Sequence, residues 1–185
     1  KLQKTIMTLS LGIMDPFLNK RIGQIGTVSE AKTVHYILQA KNIANKLMEE
    51  AYVKDDECSF INLDCDKDEK WKLKACETDL YGGLSGMAVL YLELYRETGE
   101  ERYLDFYHML MKSAVSQAKQ TSVSCAFTGR LSAIYPMLLE KKYLNTVHDI
   151  DYIKNTMKAL HNLTGENMEK YEHHDYVAGL AGIIR

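Results

Sequence analysis

Helix-breaking residues are scarce in this chain, which has only two prolines among its 185 residues. Few prolines leave long helices uninterrupted, and the abundant Leu, Met, Ala, Lys and Glu residues favour a helical backbone. An apolar fraction of 46% is enough to build a core. The composition therefore predicts a mostly α-helical protein that forms one domain or part of one.

An excess of positive charge is also missing, because 23 Lys and Arg residues face 25 Asp and Glu residues and leave a formal net charge of −2. Nucleic acid and anionic lipid need a basic surface, so we expect neither as a partner. The apolar run of residues 6–14 is far shorter than the roughly 20 residues of a membrane span, and we expect no transmembrane segment. Asp15 and Pro16 follow this run where a secretion signal would have small residues.

Paired cysteines are a third absence, since the four cysteines form no C-x-x-C pair. They are Cys58, Cys65, Cys76 and Cys125. At this chain length their spacing is typical of thiols in a reducing compartment and not of a disulfide framework, so we predict a cytoplasmic protein. Cys125 has no assignable histidine partner, and we interpret it as a small buried thiol instead of a nucleophile.

Complete metal-binding patterns are absent as well. Alternating aspartates at residues 64–68 resemble the opening of a calcium-binding EF-hand loop, but Glu69 and Ala75 stand where that loop needs Gly and Glu. His173 and His174 are adjacent, and no third ligand can be identified for them. We therefore predict a solvated turn, solvated loop histidines and no metal site in this sequence.

What the sequence does contain is a motif of eight residues, Asp-x-x-x-Gly-x-x-Gly, at residues 79–86 and 175–182. A weaker copy at residues 125–132 begins with Cys125 and has Ser132 in place of the second glycine. The predicted motif residues are Asp79, Gly83, Gly86, Gly129, Asp175, Gly179 and Gly182. The starts lie 46 and 50 residues apart (125 − 79 and 175 − 125), a period typical of two stacked helices per repeat. We expect the glycines to allow close backbone approach and to leave amide groups open at a helix start.

The chain before the first motif shows one helix and one hairpin. Residues 30–53 have a single apolar stripe and follow Ser29, a candidate N-cap. The stripe consists of Val34, Ile37, Leu38, Ala44, Leu47, Met48 and Ala51. Apolar and polar residues then alternate in two short runs, which predicts a β-hairpin near residues 60–75.

Two helices of different character follow the first motif. Residues 83–98 are apolar on nearly every side, which is typical of a helix buried all round, and Gly99 is expected to end it. Residues 101–119 have one apolar face and therefore one face in water. We interpret the pair as an inner helix and an outer helix.

The second repeat continues this order. Residues 129–143 are mostly apolar, and Pro136 is expected to kink this helix because it lacks a backbone N–H. The next helix has one apolar stripe, with Thr146 as its expected cap and Gly165 as its expected end. The predicted fold is thus mostly α, part of an α/α toroid whose inner and outer helices repeat every 46–50 residues.

The ordered motifs resemble the cyclase domain of class II lanthipeptide synthetases, the bifunctional LanM type, and more broadly the LanC-like family. The resemblance covers about residues 35–185. It is carried by Trp71-Lys72-Leu73, Asp79 to Ala88, Tyr95 to Gly99 with Tyr103, Ala126 to Gly129, and Asp175 to Ile184. A single Gly-x-x-Gly would be weak, but the ordered set is fairly specific to the family.

The resemblance implies a ring of seven inner and seven outer helices around a central zinc ion, held by two Cys and one His. There a substrate Cys thiol adds to dehydroalanine or dehydrobutyrine and forms a thioether ring in a lantibiotic precursor peptide. The family's ligand motifs, Trp-Cys-x-Gly and Cys-His-Gly, do not occur in this sequence. We therefore expect zinc in the complete enzyme only, no cofactor in this chain, and no activity of this chain alone.

Asp175 is the catalytic residue that the resemblance transfers to this sequence, because the family has an acid there that lines the pocket and assists proton transfer. The residues alone leave another interpretation open, in which Asp175 and Asp79 each cap a helix. The implied domains are a linker or the end of a preceding domain over residues 1–30, and an incomplete LanC-like cyclase domain over residues 31–185.

Two other functions remain open. A six-hairpin glycosidase on an α/α toroid would need paired carboxylates, for which Asp79 and Asp175 are the candidates. A helical-repeat module that binds peptides without catalysis would need none. An open ring would also leave apolar helix faces in water and favour self-association of this chain. The residues expected on those faces are Leu84, Leu90, Leu94, Leu131, Ile134 and Leu138.

Overall fold

The computed structural model describes residues 30–65, 69–121 and 125–166, with side chains described from residue 34 to residue 161 of those ranges. The chain divides into two compact units, residues 1–40 and residues 41–185. The elements are α1 (Glu30–Glu50), β1 (Tyr52–Lys54), β2 (Glu57–Ser59), β3 (Ile61–Cys65), β4 (Trp71–Ala75), α2 (Leu84–Thr98), α3 (Glu101–Gln120), a 3-10 helix (Arg130–Ala133), α4 (Ile134–Leu144) and α5 (Ile150–Glu166). The protein is therefore mostly helical with short antiparallel strand pairs, as predicted.

Helix α1 confirms the predicted helix but not its buried stripe. It ends three residues early, because the chain enters β1. In the first unit Val34 and Leu38 are 66% and 53% exposed, so the prediction that they face a core is wrong. In the second unit Ala44 is fully buried, and its carbonyl accepts a hydrogen bond from the Tyr91 hydroxyl at 2.8 Å. Periodicity shows which residues share a face, but it does not show what covers that face.

Two antiparallel hairpins follow α1. Strands β3 and β4 pair with Leu63 opposite Leu73 and Cys65 opposite Trp71, which confirms the hairpin predicted near residues 60–75. The sequence does not predict the smaller β1–β2 hairpin, because strands of three residues are too short to show an alternating pattern. Its turn includes Asp55 with a positive φ of 55°, a conformation that Asp tolerates better than most residues.

Helices α2 and α3 pack against each other and form the core of the second unit. Tyr91 of α2 and Tyr103 and Tyr107 of α3 are fully buried, and the Tyr91 and Phe106 ring centroids lie 4.6 Å apart. Gly99 ends α2 in the left-handed conformation, with its N–H donating to the Tyr95 carbonyl at 2.7 Å. Both predicted helices and the C-cap glycine are confirmed.

The second repeat begins with a change of helix type. The range predicted as one kinked helix, residues 129–143, consists of the 3-10 helix followed by α4. Pro136 is the third residue of α4, in the first turn, where backbone N–H groups have no partner within the helix. Proline is therefore tolerated there, and the break lies two residues earlier than the kink predicted at Pro136.

Asp149 caps helix α5, so the prediction of Thr146 as the cap is wrong. The Asp149 carboxylate accepts a hydrogen bond from the Tyr152 N–H at 2.8 Å. The Thr146 hydroxyl donates instead to Glu140 at 3.1 Å, because that carboxylate is buried and needs donors. Helix α5 continues to Glu166, one residue beyond the predicted end.

The buried Glu140 carboxylate ties α4 to α3 and to the segment before α5. It accepts hydrogen bonds from the Tyr107 hydroxyl at 3.0 Å and from the His148 N–H at 2.9 Å, in addition to Thr146. Burial raises the pKa of Glu140, but the donors from His108, Tyr107, His148 and Thr146 outweigh it, so the net pKa lies below its usual value.

The apolar faces expected to stay open are largely covered. Leu84, Leu94 and Ile134 are buried, Leu90 and Leu131 are half-buried, and Leu138 is 55% exposed. Exposure is therefore wrong for Leu84 and Leu94, because α3 and α4 pack on α2, while self-association of the chain stays a prediction. Nowhere in the described ranges does a helix combine the length and apolar character of a membrane span.

Candidate functional site

The motif loops at residues 79–86 and 125–132 lie side by side. The Leu80 N–H of the first loop donates to the Phe127 carbonyl of the second at 2.8 Å. The Ser132 hydroxyl forms hydrogen bonds to the Thr78 carbonyl and, at 2.7 Å, to the Gly129 carbonyl. Residues about 50 positions apart in the sequence thereby form one continuous surface.

A chain of buried hydroxyl groups supports this junction. Ser85 and Ser132 are fully buried and Thr78 is 5% exposed. The Thr78 and Ser85 hydroxyl oxygens lie 3.1 Å apart, and Ser132 bonds to the Thr78 carbonyl. Sequence reasoning missed these three residues. The one signal was Ser132, which replaces a motif glycine.

Asp79 shapes the first loop through its carboxylate. Its Oδ1 accepts hydrogen bonds from the Tyr81 N–H at 2.9 Å and the Gly82 N–H at 2.6 Å. The residue that precedes α2 is Gly83, and α2 has no side-chain cap, so Asp79 caps the turn and not the helix. Tyr81 stands at the tip of this turn and is 92% exposed.

Gly83 and Gly86 allow the first loop to close tightly. A Cβ atom on Gly83 would lie closer than 3.0 Å to backbone atoms of Glu77 and Asp79, and one on Gly86 would meet the Leu80 carbonyl in the same way. The predicted close approach is confirmed. The prediction of open amides at the helix start is wrong for two of them, since Leu84 N–H donates to the Glu77 carbonyl at 2.8 Å and Gly86 N–H to the Asp79 carbonyl at 3.1 Å.

The second loop reaches a similar shape by other means. Cys125 is 2% exposed, which confirms the predicted buried thiol, and its N–H donates to the Thr128 carbonyl at 3.1 Å. Gly129 has φ 70° and ψ −141°, a conformation that side chains disfavour. The chain then enters the 3-10 helix directly.

A polar pocket of about 320 Å³ lies where the two loops meet. Its lining residues come from both loops and from the end of α3: Glu77, Thr78, Asp79, Gln117, Gln120, Thr121, Thr128 and Gly129. Gln117 is fixed there by a hydrogen bond from its Nε2 to the Cys76 carbonyl at 3.0 Å. Carboxylates, hydroxyls and amides on one wall suit the backbone and polar side chains of a peptide.

The thiol nearest to the first loop is not built as a nucleophile. Burial raises the pKa of Cys76, and the carboxylates of Asp79 and Glu77 raise it further. Its Sγ donates to the Gly82 carbonyl at 3.5 Å. This environment favours the protonated thiol, which supports the loop through its bond to the Gly82 carbonyl.

The zinc ligand set implied by the resemblance does not fit the described residues. Within the described ranges no three His, Cys, Asp or Glu side chains are placed to hold a metal ion. Burial raises the pKa of Cys58 to about 12, which disfavours the thiolate that zinc binds. None of the four cysteines forms a disulfide.

Two predicted motif residues, Asp79 and Gly129, thus line the polar pocket, and Gly83 and Gly86 close the first loop. Several other predictions concern residues outside the described ranges. They are Asp175, Gly179, Gly182, His173, His174 and Ser29. The proposed pairing of Asp79 with Asp175 and the catalytic role of Asp175 therefore stay predictions.

Comparison with known proteins gives one family. A family model described as lanthionine synthetase C-like protein matches residues 74–185, more than half of the chain, and this range contains both described loops. No curated protein sequence is similar enough to count as a match.

Proposed function

The chain belongs to the lanthionine synthetase C-like family, and from this premise we propose that it is part of a cyclase that forms thioether rings in a precursor peptide. The finer assignment is to the class II, LanM-type enzymes, with the helix pairs as part of an α/α toroid. The observation that carries the proposal is the junction of the two matched loops around one polar pocket.

The reaction is an addition without oxidation or reduction. The S–H bond of a substrate Cys breaks and its sulfur bonds to the β-carbon of dehydroalanine or dehydrobutyrine. The carbon–carbon π bond is lost and a proton is taken up at the α-carbon, which balances the proton that the thiol loses. Zinc supplies thiolate activation in enzymes of this kind. We assign no step through zinc to the described residues, because they form no ligand set.

The described residues would act on the peptide and not on the reacting thiol. Glu77 and Asp79 line the pocket, and carboxylates of this kind can accept hydrogen bonds from peptide N–H groups. The hydroxyls of Thr78, Ser85 and Ser132 keep the two loops in register. We propose Asp175 as the acid that assists proton transfer.

The test uses a dehydrated peptide with one Cys and one dehydroalanine, incubated with the protein that carries this chain and loaded with zinc. Ring closure leaves the peptide mass unchanged and removes the thiol, so an alkylating reagent no longer adds to it. We expect loss of alkylation with time. A peptide that binds but stays fully alkylated would contradict the cyclase and favour the non-catalytic peptide-binding module.

Asp175→Asn separates the proposed acid from the loop aspartate. We expect Asp175→Asn to slow ring closure with the fold intact, and Asp79→Asn to have a smaller effect, because Asn keeps the oxygen that accepts the Tyr81 and Gly82 N–H groups. Equal rates for Asp175→Asn and the parent protein would refute the role of Asp175. Far-ultraviolet circular dichroism of both variants checks the fold.

A further inference from the structure

Among the arginines that the structure describes, one lacks a carboxylate partner. Arg96 pairs with Glu93 at 2.9 Å, and Arg102 pairs with Glu100 at 2.8 Å. Arg130, the first residue of the 3-10 helix, pairs with no carboxylate of the described residues. Because a half-buried guanidinium is normally paired or fully hydrogen-bonded, its remaining donors point to a ligand.

Hydrogen bonds hold Arg130 in place at both its side chain and its backbone. Its Nε donates to the Thr121 carbonyl at 2.7 Å, and its own carbonyl accepts a hydrogen bond from the Tyr152 hydroxyl at 2.6 Å. Tyr152 is 4% exposed, so this second anchor is part of the packing of α5. The guanidinium is therefore fixed through Nε, while the N–H bonds of its Nη groups are left for an acceptor outside the described residues.

A pocket of about 330 Å³ lies beside Arg130, where the end of α3 meets the start of α5. Lys119, Asp149 and Asp151 contribute charged groups to its lining, and Thr156 contributes a hydroxyl group on a side chain that is 5% exposed. A pocket of this volume accommodates a carboxylate together with the side chain that carries it.

The other charges that line this pocket are paired. The Lys119 ammonium lies 3.2 Å from the Asp149 carboxylate, and Asp151, whose side chain is 83% exposed, lies 3.9 Å from the Lys154 ammonium. These two ion pairs cancel, and the positive charge of Arg130 remains. It favours an anion in the pocket, and the planar guanidinium fits a carboxylate, to which it can donate two parallel hydrogen bonds.

This pocket adjoins the candidate site. Arg130 directly follows Gly129, which lines the polar pocket between the motif loops, and Thr121, whose carbonyl holds Arg130, lines that polar pocket too. A ligand on Arg130 therefore lies next to a peptide in the polar pocket. Glu77 and Asp79 give the polar pocket two carboxylates, so the two neighbouring pockets favour groups of opposite charge.

We propose that Arg130 binds a carboxylate of the peptide substrate through its Nη groups and thereby positions the peptide at the candidate site. The inference rests on the proposed function for the identity of the peptide as substrate. The carboxylate belongs either to the side chain of an Asp or Glu residue or to the carboxyl terminus of the peptide. Arg130 is thus a positioning residue that takes no part in the addition of the thiol.

Calorimetric titration of four synthetic peptides tests the proposal and distinguishes the two sources of the carboxylate. Each peptide contains one dehydroalanine and has serine in place of the Cys, so no ring can close. The four combine either glutamate or glutamine on both sides of the serine with either a free or an amidated carboxyl terminus. The protein that carries this chain should bind the glutamate peptides about tenfold more tightly if a side chain supplies the carboxylate, and the free-acid peptides about tenfold more tightly if the terminus does. Equal binding of all four would overturn the proposal.

Arg130→Gln and Arg96→Gln form a matched pair, since each removes one positive charge and Arg96 lies on α2 with its own glutamate partner. Arg130→Gln should abolish the preference for peptides with a carboxylate, and Arg96→Gln should keep it. If Arg130→Gln weakened the binding of all four peptides by the same factor, the preference would not depend on Arg130 and the proposal would be overturned. The titration of the parent protein needs no variant, so it tests the proposal even if Arg130→Gln is unstable.

The ring-closure assay distinguishes failure of this inference from failure of the proposed function. If the protein closes no rings but loses its preference for a carboxylate in Arg130→Gln, the proposed function fails and the carboxylate site stands. If rings close and Arg130→Gln leaves KM and kcat for a carboxylate-containing peptide at the parent values, the site is refuted and the cyclase stands. A raised KM with unchanged kcat supports both.

Discussion

The two motif loops have the same length and meet at one pocket, yet different groups hold them in shape. In the first loop the Asp79 carboxylate accepts hydrogen bonds from two amides. In the second loop a main-chain bond runs from the Cys125 N–H to the Thr128 carbonyl. A buried thiol stands at the position of Asp79, so this loop has no carboxylate at its first position.

The two loops also differ at the last position of the motif, which is Gly86 in the first loop and Ser132 in the second. Gly86 lets the Leu80 carbonyl approach so closely that a Cβ atom would collide with it. Ser132 has a side chain, and its hydroxyl bonds to the Gly129 carbonyl of its own loop and to the Thr78 carbonyl directly before the first loop. The same motif position can thus bring two backbone segments together in two ways. A glycine leaves room for their close approach, and a serine forms hydrogen bonds to them through its side chain.

Gly83→Ala should have the largest effect on this comparison, with a loss of about 4 kcal/mol in the free energy of unfolding. The new Cβ would collide with backbone atoms of Glu77 and Asp79, which cannot move without opening the loop. Urea denaturation measures the loss. Gly82→Ala is the control, since a Cβ there meets no atom within 4 Å, and a similar loss for both would show that the crowding at Gly83 is irrelevant.

Cys125→Asp should cost about 3 kcal/mol, because it places the acid of the first loop at a buried position of the second. Cys125→Asn has nearly the same shape without the charge and should cost less. Thermal unfolding at several pH values measures both variants. The difference in stability between Cys125→Asp and Cys125→Asn should become smaller at low pH, because acid neutralises the new carboxyl. Full stability of Cys125→Asp at neutral pH would mean that the second loop accepts a capping acid as the first does.

Ser132→Ala should cost roughly 1 to 2 kcal/mol, since it removes the donor to the Thr78 and Gly129 carbonyls. Ser132→Gly, which copies the first motif, should cost slightly more because glycine also gains freedom in the unfolded chain. Ser116→Ala on the exposed side of α3 is the control and should be neutral or slightly stabilising. If Ser132→Ala were as stable as its control, the Ser132 hydroxyl would not stabilise the junction between the two loops.

Asp79→Asn should have the smallest effect, below about 0.5 kcal/mol, because the amide oxygen still accepts both N–H groups. Asp79→Ala should cost about 1 kcal/mol, the usual value for a lost cap. Chemical denaturation of the two variants side by side checks the difference. If Asp79→Asn lowered the free energy of unfolding as much as Asp79→Ala does, then the negative charge, and not the acceptor oxygen, would stabilise the first loop.

Local patterns account for most of what the sequence predicts correctly. The apolar run of α2, its end at Gly99 and the pairing of β3 with β4 depend on neighbours in the sequence, and all are confirmed. The motif glycines were recognisable for the same reason. Thr146 was mistaken for a cap because the buried Glu140 competes for its hydroxyl, and burial is invisible in a linear pattern.

The remaining features of the site depend on residues that are distant in the sequence. Nothing near Thr78 indicates that Ser132 will bond to its carbonyl, or that Leu80 will meet Phe127. The pocket exists only because these contacts form. The alternation of apolar and polar residues around Leu63 likewise shows that the apolar side chains share one face of the hairpin. It does not show that this face stays in solvent.

The bonds between the loops have a consequence for the order in which the protein folds during its synthesis. Leu80 and Thr78 are made first, but their partners Phe127 and Ser132 follow later, the last of them 52 residues after Leu80 (132 − 80). At roughly 5 to 20 residues per second, a ribosome needs about 3 to 10 s to add them. During that interval the rest of the first loop, α2 and α3 are synthesised, still without the wall that completes the pocket. The pocket is therefore a late product of translation, because it needs residues of the second repeat.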